Sequence, residues 1–125
     1  MYSHVMVGAK DLPASKRFYD ALFAVLGQGE GMVSGDRIFW SAGGASFAVT
    51  TPINGDAACH ANGGTIGFAA PSTEAVDAWH AAGVNNGGAS CEDLPGIREG
   101  SFGKIYLAYL RDPSGNKLCA AYRVA

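Results

Sequence analysis

The chain is written twice. The stretch HVMVGAKDLPASKRFYDAL, starting at His4, lies over TIGFAAPSTEAVDAWHAAG, starting at Thr65, an offset of 61 positions. Val5 falls on Ile66, Val7 on Phe68, Asp11 on Ser72, Ala14 on Ala75, Phe18 on Trp79 and Ala21 on Ala82. Each copy opens with residues alternating at period two, the mark of a half-buried strand. Each then offers an N-cap, Asp11 or Ser72, whose side-chain oxygen can accept from free N–H groups of a first helical turn. Each continues with apolar residues at helical spacing: Phe18, Leu22 and Val25 in the first, Ala75, Val76 and Trp79 in the second.

Behind each predicted helix come glycine-rich turns and a hairpin. DRIFWS and SFAVTT flank Ala42 to Ala45, and KIYLAYLR and NKLCAAYR flank Asp112 to Gly115. Gly supplies positive φ and Pro fixes φ, so both stretches read as tight turns. A short strand in GEGMVSG precedes the first hairpin, and GGASCEDL is its counterpart. The expectation is one α+β domain over 1–125 made of paired βαβββ modules, two per chain, forming a curved mixed sheet around a cup. The first module is 1–51, the linker 52–64 and the second module 65–125. Each sheet has one face left uncovered by its helix, so the uncovered faces are expected to form a shared concavity.

Composition narrows the function. Of 125 residues, 48 % are apolar and 16 % charged, so the chain can build a core and is not a disordered segment. A net charge of −2 without a basic stripe argues against a nucleic-acid partner. No apolar run approaches the roughly 20 residues of a membrane span. The opening residues lack the pattern of a signal peptide. Cys59, Cys91 and Cys119 form an odd set without CxxC spacing, and are read as reduced thiols of a cytoplasmic protein.

Opposed residues of a hairpin share a face, which divides the side chains. In the first hairpin Trp40 opposes Phe47 and Ile38 opposes Val49, leaving Arg37, Phe39, Ala48 and Thr50 for the cup. A four-residue turn Asp112–Gly115 makes Arg111 oppose Asn116. It then places Tyr106, Ala108, Cys119 and Ala121 in the cup and Leu107, Tyr109, Leu118, Ala120 and Tyr122 under the helix. His4 and Met6 face the cup from the opening strand, and Thr65 and Gly67 from its repeat. His4, Thr50, Thr65 and Cys119 thus fall on one concave face, with Thr50 and Cys119 equivalent across the repeat. A slip of one residue inverts any such assignment.

Together the duplicated strand–helix segments and the terminal AYLRDPSGNKLCA resemble the vicinal-oxygen-chelate superfamily of glyoxalases, bleomycin-resistance proteins and extradiol dioxygenases. The resemblance covers nearly the whole chain and implies paired βαβββ modules, usually in a homodimer. It also implies four metal-ligand positions, matched here to His4, Thr50, Thr65 and Cys119. Glyoxalases typically carry His, Glu, His and Glu there. Only His4 keeps a metal-binding type, and a catalytic metal needs about three protein ligands. The resemblance therefore supports the fold and argues against a divalent metal cofactor.

Individual residues keep two readings. Cys119 is a small wall residue, or a nucleophile whose thiol pKa a neighbouring His4 lowers. His4 is a hydrogen-bonding wall residue or the partner of that thiol. Cys59 and His60 belong to a loop, or swing over to complete a soft Zn²⁺ site with His4 and Cys119. His80 is a solvated helix residue and Cys91 is inert. Arg37 and Tyr106, with Phe39, Thr50 and Thr65, suit a small organic ligand bearing an anionic or carbonyl group. The alternative for Arg37 is a strand-end residue pointing to water. The insertion LPGIREGSFG reads as a lid hinged at Gly96, Gly100 and Gly103, with Arg98 or Phe102 as contact residues. The expected function is small-molecule binding in the cup without the usual metal chemistry. The alternative is a glyoxalase-like lyase or dioxygenase-type enzyme using an unusual metal set or a His4/Cys119 pair.

Overall fold

The computed structural model describes residues 1–124. The order is β1 (His4–Gly8), α1 (Leu12–Val25), β2 (Met32–Ser34), β3 (Arg37–Ala42), β4 (Ala45–Thr50), β5 (Ile66–Ala69), α2 (Thr73–Asn85), β6 (Ala89–Ser90), β7 (Gly96–Gly100), β8 (Gly103–Arg111) and β9 (Lys117–Arg123). The first sheet runs β1-β4-β3-β2, and the second runs β5-β9-β8-β6 with β7 also on β8. Both are mixed: β1 is parallel to β4 and β5 to β9, while the hairpins are antiparallel. The chain is thus an α+β fold of two repeated modules, the second carrying one strand more than the first.

The helices form where caps and periodicity demand. Asp11 accepts from the Ala14 N–H at 3.0 Å and Ser72 from the Ala75 N–H at 3.1 Å. At the far end of α1, Gly27 takes φ +81° and Gln28 N–H donates back to the Phe23 carbonyl, at 2.8 Å. Gly87, at φ +98°, does the same for α2, with Gly88 N–H donating to the Gly83 carbonyl at 2.9 Å. Both are six-to-one Schellman closures, which need the left-handed conformation glycine adopts without strain.

Each helix covers one face of its own sheet, and α1 packs against α2. The core joins Phe18, Tyr19, Leu22 and Phe23 of α1 to Trp40, Phe47 and Val49, and Val76 and Trp79 of α2 to Ala108, Leu110, Leu118 and Ala120. Phe68 of β5 bridges the modules, its ring centroid 5.3 Å from Phe23 and 5.4 Å from Phe47. Among the described residues no strand of one sheet lies against a strand of the other. The edges of β1 and β5 that face away from β4 and β9 pair with no strand among the described residues.

The terminal turn fastens the halves together. Asp112 is buried, and its carboxylate accepts from Tyr19 Oη at 2.6 Å, from Ser114 N–H at 2.8 Å, and from Asn116 N–H and Nδ2 at 2.9 Å each. Asn116 Nδ2 also donates to the Gly8 carbonyl, and Lys10 N–H donates to Ser114 Oγ. Burial and the neighbouring Asp112 carboxylate push the Tyr19 phenol well above its ordinary range.

This turn corrects the expected register. Asp112 N–H bonds the Asn116 carbonyl and Arg111 pairs with Lys117, so five residues rather than four make the turn. The carboxylate wrapped inside the loop accounts for the extra residue. The faces of β8 therefore invert. Tyr106, Ala108 and Leu110 turn to the helix, and Leu107 and Tyr109 turn to the cup opposite Ala121 and Cys119. The first hairpin has the expected register, with Trp40 opposite Phe47 and Arg37 opposite Thr50.

The insertion also differs from expectation. Gly96–Gly100 is strand β7, paired to β8 through a turn at Ser101 and Phe102, where a lid was expected. The second module accordingly has four strands after its helix, not three.

Candidate functional site

On the first sheet the cup face is built from rows of paired residues. Met6, Ala48, Phe39 and Met32 form one row, and Gly8, Thr50, Arg37 and Ser34 the next. Arg37, Phe39 and Thr50 line an open cavity of about 440 Å³ with Ser34, Asp36, Thr51, Pro52 and Ile53. Arg37 is exposed and joins no ion pair among the described residues. Thr50 Oγ1 donates to the Thr51 carbonyl at 2.8 Å. A second cavity, about 460 Å³, lies on the helix side between the modules, against Phe23, Trp40, Phe47 and Phe68. Its lining comes mainly from the helix side and strand ends, so the cavity at Arg37 is the one that belongs to the cup.

On the second sheet the matching row is Gly67, Cys119 and Tyr109. Lys117 stands over the Tyr109 ring at 5.0 Å from its centroid and pairs with Glu92. Cys119 is buried. Burial first, and Glu92 second, push its thiol up, with Lys117 pulling the other way. Gly67 leaves room for that sulfur, since a Cβ at residue 67 would lie 3.1 Å from Cys119 Sγ.

The sequence-derived site residues are thus partly assembled. Arg37, Phe39 and Thr50 come together. Tyr106 does not join them: its hydroxyl donates to Asp77 of α2 at 2.7 Å, on the helix side. Arg98 faces the cup from β7, but its guanidinium turns back onto the carbonyls of Asp93, Leu94 and Gly96. Thr65 is exposed just ahead of β5. His4 is exposed and its Nδ1 lies 2.6 Å from Ser3 Oγ. Its strand does not touch β9, so within one chain it is no neighbour of Cys119. His60 lies against Gly115, and Cys59 is exposed. His80 is half-buried rather than solvated, with Nε2 2.8 Å from Ser90 Oγ, and burial pushes its imidazole down.

The ladder also corrects one repeat equivalence. Met6 pairs with Ala48 and its repeat partner Gly67 pairs with Cys119, so Ala48, not Thr50, is the counterpart of Cys119. The four positions therefore hold an imidazole, a methyl, a hydroxyl and a thiol. Ala48 cannot ligate and threonine is a weak ligand, so this donor set does not fit a divalent metal centre. Among the described residues no group of three His, Cys, Asp or Glu side chains is arranged to hold an ion, the Cys59/His60 set included.

Sequence reasoning missed Tyr109, Lys117 and Glu92. The register slip hid Tyr109, and Glu92 stands in an irregular bulge without periodicity. The residue signal was the unpaired aromatic and basic alternation of AYLR and NKLC.

Two mixed sheets, each with a helix on one face and a bare cup face on the other, define the duplicated βαβββ class. Residues 2–120 match the Glyoxalase/Bleomycin resistance protein/Dioxygenase superfamily, and the chain belongs to it. It is 58 % identical to a glyoxalase/bleomycin resistance protein from Albidiferax ferrireducens T118, with TM-score 0.96 over 98 % of this chain and 99 % of that one. A glyoxalase-related enzyme from Fulvimarina pelagi shares the fold at 22 % identity and TM-score 0.75, over 98 % and 88 % of the two chains. A lactoylglutathione lyase from Agrobacterium tumefaciens does so at 20 % and 0.66, over 97 % and 92 %. No curated protein matches. No helix is long and apolar enough to cross a membrane.

Proposed function

We propose that this member of the superfamily binds a small organic molecule bearing an anionic or carbonyl group, without metal chemistry. The observation that carries this is the open cavity of about 440 Å³ where Arg37, Phe39 and Thr50 meet. An unpaired guanidinium beside an aromatic ring suits a ligand with an apolar body and an anionic end. The donor set at His4, Ala48, Thr65 and Cys119 supports binding over metal-assisted catalysis. A homodimer in the cytoplasm is part of the same reading, since each sheet keeps one bare face and the outer edges of β1 and β5 pair with no strand among the described residues.

A ligand screen by thermal shift tests the binding, with aromatic and aliphatic acids and neutral isosteres. Acids are expected to raise the melting temperature and Arg37→Ala to reduce the rise. Equal shifts from acids and neutral isosteres would refute the role of Arg37. Elemental analysis of protein purified without chelator is expected to find well under one equivalent of Zn²⁺, Ni²⁺, Mn²⁺ or Fe²⁺. Stoichiometric metal lost in His4→Ala would promote the enzyme. Sedimentation at micromolar concentration is expected to show the dimer, and a stable monomer would refute that part.

A further inference from the structure

The ion pair between Lys117 and Glu92 lies on the cup side of the second sheet, away from the Arg37 cavity. Lys117 is opposite Arg111 in the ladder and one row from Tyr109 and Cys119, so its stem rises from the cup face. Its side chain is 22 % exposed and that of Glu92 45 %, so the lysine is the sheltered partner. Its ammonium stands over the Tyr109 ring, an arrangement that holds the cation in place whether or not a carboxylate is attached.

Glu92 reaches Lys117 at a conformational cost. It is the one non-glycine residue with positive φ among the described residues, at 56°. Non-glycine residues are uncommon in that region, and glutamate is not among those enriched there. Its segment is a bulge: Ser90 pairs with Leu110 and Gly96 with Leu107, so residues 91–95 lie across a gap that only Ala108 and Tyr109 fill in β8. The bulge is fixed without help from Glu92, because the Arg98 guanidinium holds the Asp93, Leu94 and Gly96 carbonyls at 3.0, 3.3 and 3.0 Å. The Glu92 side chain can therefore leave Lys117 while the backbone of the strap stays in place. Partly exposed ion pairs of this kind contribute little, and exchanging one carboxylate for another leaves the lysine paired throughout.

We propose that Lys117 and Tyr109 form a second carboxylate site, separate from Arg37, with Glu92 as its built-in competitor. The ligand class is a small monocarboxylate with a flat or apolar body, the carboxylate on Lys117 and the body against Tyr109 in the row of Cys119 and Gly67. The site rests on the bound cation, the ring beneath it and the carboxylate that already occupies it. This inference goes beyond the Arg37 site and rests on the same reading of the cup faces as ligand-binding.

Benzoate is the probe, titrated by NMR into the intact protein. Glu92→Gln keeps the shape of residue 92 and removes its charge. If Glu92 holds Lys117 about nine-tenths of the time, this variant binds benzoate about tenfold more tightly than the wild type. Lys117→Met is expected to lose that binding, with Lys117→Gln in its place if Lys117→Met does not fold. Glu92→Gln binding no more tightly than wild type, or a folded Lys117 variant binding as well as wild type, overturns the site. Benzoate binding that vanishes in Arg37→Ala but ignores Lys117 and Glu92 leaves the proposed function standing and sinks this inference alone.

Discussion

On the first sheet the cup face centres on Met6, Ala48 and Phe39, and on the second the same ladder positions hold Gly67, Cys119 and Tyr109. Both centres keep an aromatic ring beside a small buried residue. Their ends differ. The first sheet carries its cation at Arg37, paired with Thr50, and leaves the opposite end to the hydroxyls of Ser41 and Ser46, 2.7 Å apart. The second sheet has Leu107 and Ala121 where the first has Arg37 and Thr50, and puts Arg111 and Lys117 where the first has the two serines. The helix faces diverge as well. The first buries Phe18, Tyr19, Leu22 and Phe23 of α1 with Trp40 and Phe47, while the second buries only Val76, Trp79 and Gly83 of α2, with Ala108, Leu110, Leu118 and Ala120. Duplication kept the backbone, and the cup faces were left free to specialise at opposite ends.

The sharpest break in the symmetry is the second turn. Its counterpart over Ala42–Ala45 has no buried carboxylate. Asp112→Ala would strand Tyr19 Oη and two backbone N–H groups and leave Asn116 Nδ2 only its bond to the Gly8 carbonyl, so a loss of at least about 3 kcal/mol is expected in chemical denaturation. Ser41→Ala at the first hairpin should stay within about 0.5 kcal/mol. Near-equal losses would mean the halves are not fastened through this turn. Tyr19 gives the pH signature. Its folded pKa is raised above the unfolded value near 10, so its contribution is complete below that value and is lost as pH rises beyond it. Tyr19→Phe should flatten the alkaline limb of the stability profile.

The next effect separates Gly67 from its repeat partner Met6. Where the first sheet accepts a long side chain, the second has Cys119 Sγ 3.1 Å from any Cβ at residue 67. Gly67→Ala should cost about 1–2 kcal/mol by overpacking. The double variant with Cys119→Ala should recover most of it. Additive losses in that cycle would show that the sulfur is not what excludes a side chain there.

How far this was legible follows from the same residues. The duplication, the caps at Asp11 and Ser72 and the glycine turns predict both modules, because each is a local signal with one physical outcome. Arg37, Phe39 and Thr50 were placed together because the first hairpin turn has the length its glycines suggest. The second register was not legible, since a carboxylate folded inside a turn adds a residue without leaving a pattern. Strand β7 was hidden by its flanking glycines, and Glu92 by an irregular bulge. The separation of His4 from Cys119 depends on how the modules pack, which no local pattern encodes.

Cys119 tests whether the two faces differ in chemistry as well as shape. Burial and Glu92 hold its thiol above the ordinary value of 9.0. With Cys59 and Cys91 replaced by Ser, iodoacetamide should react slowly at neutral pH and faster only above about pH 9. His4→Ala should leave the profile unchanged, and Glu92→Gln should shift it to lower pH. An apparent pKa below about 7 that rises on losing His4 would make the thiol a nucleophile and join the faces across a subunit boundary.

The smallest effect concerns the helix pair. Ser15 of α1 sits where its repeat partner in α2 is Val76, and both are fully buried. Its hydroxyl has no hydrogen-bond partner among the described residues, and neither does Trp79 Nε1. A buried polar group without a partner costs stability, and alanine is the better helix former. Ser15→Ala should therefore be neutral or stabilise by up to about 1 kcal/mol, read from the denaturation midpoint at constant m-value. Trp79→Phe removes a donor but also ring volume, so its loss should exceed that of Ser15→Ala by the cavity it leaves. A loss above about 1 kcal/mol for Ser15→Ala would mean that the hydroxyl is paired, with an ordered water as the partner the chemistry allows. The double variant decides this: coupling between the two losses indicates a shared bridge, and simple additivity indicates two independent unpaired groups.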